Sequence, residues 1–152
     1  MRAAHFHKRG LMRICILYGG TDAGHDKLKG LAEGMSKGIS SSGEHIVEIL
    51  DMKLEQGRRI SSYDYVVIIS QAESLFSKKV PSIVSDFLKA AGSISGKRCS
   101  CFISSNCLRK NSVLHNLMYV MESEGMYLKL SDVLKNGDMA YAVGKRLHVE
   151  RN

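Results

Sequence analysis

Arg13-Ile14-Cys15-Ile16-Leu17-Tyr18-Gly19-Gly20 is the stretch whose reading decides the fold. A short apolar run is closed by two glycines, and beyond it Leu28, Leu31, Ala32, Met35 and Ile39 recur at helical spacing. The order is strand, glycine turn, helix. Ser40-Ser41-Ser42-Gly43 stops that helix, and Ile46 to Leu50 reads as a second strand. The polar connection from Asp51 to Ser62 shows no clear element.

The step then repeats. Tyr65 to Ile69 is a continuous apolar run, β-branched from Val66 on, the pattern of a strand covered on both faces. Val80 to Ala91 reads as a helix with Pro81 in its first turn and Ile83, Val84, Phe87 and Leu88 on one side. Cys99 to Ser104 is a fourth strand, and Leu114, Leu117, Met118 and Met121 mark a helix ending near Gly125. Tyr127 to Leu130 is a fifth strand, and Met139, Ala142, Val143 and Leu147 mark a last helix. Strands alternating with helices imply a mostly parallel α/β sheet covered on both faces, with right-handed crossovers. In such a sheet ligands bind outside the carboxyl ends of the strands. Three loops therefore matter: Gly19 to Asp26, Gln71 to Lys79 and Ser105 to Asn111.

Size and composition agree with one domain. The chain has 152 residues, of which 44% are hydrophobic, enough for one core and too few for two ordinary domains. Its uninterrupted apolar stretches within the strands, such as Val66-Val67-Ile68-Ile69, are far short of a bilayer span, and no signal-peptide apolar core is seen. The cytoplasm is the expected location. The formal net charge of +7 falls to +4 without residues 1–11, because Arg2, Lys8 and Arg9 are the charged residues there. That segment reads as a flexible basic N-terminal tail or an upstream start, and residues 12–152 as the domain. The remaining cations are scattered, without the aromatic interleaving of a nucleic-acid surface.

Cys15, Cys99, Cys101 and Cys107 match no zinc or CxxC spacing, so buried reduced thiols are expected. Cys99 and Cys101 share one strand face, a poor geometry for a disulfide. The histidines have no carboxylate at metal-site spacing, and no Gly-x-Ser-x-Gly turn follows a strand. No side chain is marked as catalytic.

From Met12 to Glu150 the chain resembles the flavodoxin-like family, including flavodoxins and the NAD(P)H-dependent flavin and quinone reductases. The residues that carry the resemblance are the opening Met12-Arg13-Ile14 with Tyr18-Gly19, and Tyr63-Asp64-Tyr65 leading into the central strand. Val80-Pro81 to Phe87-Leu88, Ser95-Gly96-Lys97-Arg98, Glu124-Gly125-Met126 and Gly144-Lys145-Arg146-Leu147 continue it in order. The resemblance implies a three-layer sandwich whose five-stranded parallel sheet has the order 2-1-3-4-5. It also implies noncovalent FMN with its phosphate in the first loop and its ring between the second and third. Electrons or hydride would pass through that ring to a redox partner protein or small-molecule acceptor, with NAD(P)H as reductant. The oligomeric state stays open between monomer and homodimer.

The first loop is expected to hold the phosphate through Gly20, Thr21, Asp22, Ala23, Gly24 and His25, using backbone N–H groups at a helix N-terminus. Asp22 and Asp26 depart from that pattern, because a carboxylate beside a phosphate repels it. Asp26 also reads as the N-cap of the first helix. His25 is either a phosphate donor when protonated or an exposed loop histidine. In the second loop Ser74, Leu75 and Phe76 are the candidates, with Phe76 placed to cover a flavin ring, meet a partner or fold back. In the third, Ser105, Asn106, Cys107 and Arg109 could bond a flavin edge or attract an anion, and Ser112 reads as the next N-cap. The alternative is a flavodoxin-fold binding or regulatory module that has lost FMN and uses the same loop edge.

Overall fold

The computed structural model of the chain describes residues 11–149, so the basic tail expected over 1–11 lies outside the described residues except for Leu11. Five strands and four α-helices are found among the described residues, with a helix after every strand except the second. The strands are β1 (Arg13–Tyr18), β2 (Ile46–Asp51), β3 (Tyr65–Ser70), β4 (Arg98–Ser104) and β5 (Tyr127–Leu134). The helices are α1 (His25–Ser42), α2 (Ile83–Lys89), α3 (Lys110–Ser123) and α4 (Gly137–Arg146). Every strand pair is parallel and the order is β2-β1-β3-β4-β5, as the resemblance implied.

Side chains alternate across each strand, and the core is divided accordingly. Ile14, Ile16 and Tyr18 of β1, with Tyr65, Val67 and Ile69 of β3, pack under α1 and α4. Cys15 and Leu17, with Val66 and Ile68, pack under α2 and α3. All six residues of β3 are buried, and each large aliphatic there contributes about 1.5–3 kcal/mol of transfer free energy. All four cysteines are free and buried, Cys107 included. Burial pushes the Cys15 and Cys99 thiols up to about 12 and Cys101 higher still, which leaves them as inert packing groups.

Two local expectations change, and a third holds. Helix α2 starts at Ile83 rather than Val80, because Pro81 disfavours helical backbone at Val80 and has no N–H to give. Strand β5 runs on to Leu134, since pairing with β4 continues to Ser104↔Leu134. The connection after β2 is a chain of turns, closed by Leu54 and Glu55 N–H groups on the Asp51 carbonyl and anchored by buried Ile60.

Helices α1 and α4 meet backbone to backbone. A Cβ placed on Gly34 would stand 2.5 Å from the Gly137 carbonyl oxygen, and one on Gly38 would stand 2.2 Å from that of Tyr141. One on Gly144 would stand 2.5 Å from the Met35 carbonyl oxygen. Glycine on both helices is therefore what allows the approach. At the far edge of the sheet, β5 carries a bulge: Cys99 pairs with Leu128 and Ser100 with Leu130, leaving Lys129 as the extra residue. Its ammonium lies over the Tyr127 ring at 5.0 Å.

Candidate functional site

The carboxyl ends of β1, β3 and β4 bring the three loops together. The first is fastened from beneath: the Gly19 N–H donates to the Ile69 carbonyl at 3.2 Å, and the buried Ser70 hydroxyl donates to the Gly19 carbonyl at 2.7 Å. Asp22–Gly24 then forms a single 3-10 turn, capped by the Thr21 hydroxyl, which accepts from the Gly24 N–H. Helix α1 begins directly after it at His25, with Gly24 at the cap position and no side chain capping it. Asp26 therefore sits inside the first turn instead of capping it, where a carboxylate still gains from the helix dipole. Ser112 likewise lies inside α3, which starts at Lys110.

The centre of the first loop is filled by a residue from the second. Gln71 Oε1 accepts the Thr21 N–H at 3.1 Å, and the Gln71 amide lies between Gly20 and Gly24. A Cβ on Gly20 would fall 2.4 Å from Gln71 Oε1, and one on Gly24 would fall 2.1 Å from it. The two glycines thus make room for a glutamine side chain. The sequence signal was available, since Gln71 follows β3 directly and faces the glycine turn after β1, but a lone glutamine has no motif to mark it.

Around this plug the loop carries its own charge network. His25 Nε2 lies 2.9 Å from Asp51 Oδ2 at the end of β2, and Nδ1 lies 3.5 Å from Asp26 Oδ1. The His25 ring packs beside that of Tyr18, centroids 5.5 Å apart. Lys53 Nζ donates to Asp22 at 2.9 Å, which holds the Asp22 carboxyl below its ordinary range. Hydrogen bonds to Asp51 first, then Asp26, raise the His25 pKa above its ordinary 6.5. A raised histidine contributes stability that is complete below the unfolded value and is lost as pH rises through the folded one. We expect an NMR titration of the His25 imidazole to report a value above that of the free side chain, and Asp51→Asn to lower it. An unchanged His25 midpoint in Asp51→Asn would show that the Asp51 contact does not govern the proton.

The second and third loops are joined to each other. The Leu108 N–H donates to the Leu75 carbonyl at 3.0 Å, bridging the two loops at their crests. Ala72 and Cys107 are buried at the loop roots, whereas Ser74, Leu75, Phe76, Asn106, Leu108 and Arg109 are exposed. Phe76 faces solvent and does not fold back. Of the residues picked out by sequence, Gly20 to His25 share the first loop, Ser74 to Phe76 and Ser105 to Arg109 share the bridged pair, and Cys107 points into the core.

A flavin phosphate is a dianion that needs several unengaged N–H groups and no carboxylate nearby. Here the Thr21 N–H is bonded to Gln71, the Gly24 N–H to Thr21, and Asp22, Asp26 and Asp51 stand around the turn. In this arrangement a dianion would have to displace the Gln71 amide and sit among those carboxylates.

No family model matches the sequence, and no curated protein matches it. Solved structures do: the fold is flavodoxin-like. A flavodoxin from Megasphaera elsdenii in its two-electron reduced form is 17% identical with a TM-score of 0.67, over 87% of this chain and 96% of that one. Flavodoxin 1 from Bacillus cereus, oxidised, is 14% identical with a TM-score of 0.64, over 88% and 92%. A flavodoxin from the domain Archaea is 17% identical with a TM-score of 0.62, over 89% and 92%. Likeness at these identities establishes the architecture, and the chemistry has to be argued from the loops. No helix among the described residues is long and apolar enough to cross a membrane.

Proposed function

We propose that this chain is a flavodoxin-fold binding module in which a glutamine side chain occupies the place a flavin phosphate would take, so that its loop edge meets a macromolecular partner without a cofactor. The observation that carries this reading is the seating of Gln71 Oε1 on the Thr21 N–H between Gly20 and Gly24. A neutral amide there satisfies the loop donor with no dianion, and the surrounding carboxylates then carry no penalty.

A second reading is an FMN-binding redox protein, an electron carrier or an NAD(P)H-dependent flavin or quinone reductase. It is favoured by the uncapped N-terminus of α1 and by the flavodoxins among the similar structures. Titration with FMN, with riboflavin as the control lacking phosphate, separates the two. The module reading expects neither flavin to quench on mixing with folded protein. Tight FMN binding with much weaker riboflavin binding would sink it and support the redox reading, and NAD(P)H oxidation would be assayed next.

A further inference from the structure

We propose that Leu75, Phe76 and Leu108 form a preorganised apolar knob, ringed by cations, that docks an acidic protein surface bearing an apolar socket. The proposal rests on the cofactor-free reading of the loop edge and names the partner of that edge.

The first ground is exposure without looseness. Leu75 is 53% exposed, Phe76 69% and Leu108 62%, on adjacent loops joined by the Leu108 to Leu75 backbone hydrogen bond. Neighbouring large apolar side chains held in water are a mark of an interaction site. Their backbone is fixed. The Glu73 N–H donates to the Lys79 carbonyl, closing the second loop, and the Ser77 N–H donates to the Ser74 carbonyl inside it. The Lys79 N–H donates to the Ser77 hydroxyl, and the Asn116 amide ties the Lys78 carbonyl to α3. Buried Ala72 and Cys107 anchor the roots. A loop already held in one conformation has little ordering entropy left to lose on binding.

The second ground is charge. Lys78, Lys79, Arg109 and Lys110 are all exposed around the knob. Among the described residues none of the four is paired with a carboxylate. Glu73 is the one acid in the segments 71–79 and 105–112. A cationic rim around an apolar centre is complementary to an acidic rim around an apolar hollow, and it penalises basic partners. Single-stranded nucleic acid is the competing polyanion, but it is gripped by successive aromatic platforms, and here two of the three apolar side chains are leucines.

The test uses the full chain and a defined probe, an amphipathic helical peptide of about 20 residues with leucines on one face and glutamates elsewhere. Its controls are the same peptide with serine for leucine, the same peptide with lysine for glutamate, and oligothymidine. Fluorescence anisotropy gives affinity, and amide chemical shifts give the place. The leucine–glutamate peptide should bind at least about tenfold more tightly than either peptide control, shifting the amides of the second and third loops. Phe76→Ser with Leu108→Ser should lose about tenfold, as should Lys78→Glu with Arg109→Glu, and both variants should fold because the altered side chains are exposed. Failure of the peptide to bind, equal binding of the serine control or oligothymidine, or indifference to both variants would overturn the proposal. Flavin titration of the same samples keeps the two readings apart. If FMN bound while the peptide result held, the docking surface would stand and the cofactor-free reading would fall. If neither bound, the reverse would hold.

Discussion

Gly38→Ala should destabilise the protein by about 1–3 kcal/mol, although the same change in an open helix is stabilising. The added Cβ would lie 2.2 Å from the Tyr141 carbonyl oxygen and 2.8 Å from the Lys145 nitrogen, both backbone atoms of α4 that cannot rotate aside. The helices must separate, and contacts along both then loosen. Gly30 supplies the internal control: it lies on the same helix, and nothing stands within 4 Å of a Cβ built there. Gly30→Ala should therefore stabilise by about 0.5–1 kcal/mol through helix propensity and a less flexible unfolded chain. Thermal or urea unfolding of the two variants should give shifts of opposite sign. Shifts of the same sign would show that the α1–α4 approach is slack.

Phe87→Ala should have the larger effect, a loss of about 3–5 kcal/mol. Helix α2 has only seven residues, too few to be stable alone, and it is held to the sheet by Val84, Phe87 and Leu88. Phe87 is among the largest fully buried side chains, and truncating it leaves a cavity under a helix with little else to keep it in place. The urea midpoint is the measurement. A loss below about 1 kcal/mol would mean that the neighbouring side chains collapse into the space.

These two positions differ in how visible they were in the sequence. Phe87 belongs to an apolar stripe, and stripes together with the apolar run Tyr65 to Ile69 are enough to give five strands, four helices and their alternation. The strand order came from resemblance, because period alone does not say which strands are neighbours. The glycines of α1 are visible as letters, yet nothing near them in the chain says that another helix passes at that height. The site was legible as a set of loops and illegible in its detail. Gly20, Gly24 and Thr21 read as a phosphate cradle until Gln71, some fifty positions later in the chain, is seen to fill it. Asp26 and Ser112 have the chemistry of caps, but each helix starts before them, and where a helix starts depends on how the incoming loop is anchored.

The extra residue in β5 bears on how the protein behaves at high concentration. An outer strand offers a row of unused N–H and carbonyl groups to any other strand that can lie flat against it. Lys129 interrupts that row at its third residue and sets a charge at the irregularity, so a second molecule cannot continue the sheet without burying an ammonium. Removing Lys129 would restore an even ladder while keeping Leu128 and Leu130 on their own faces. The shortened protein would then fold as before and lose that protection against edge-to-edge aggregation.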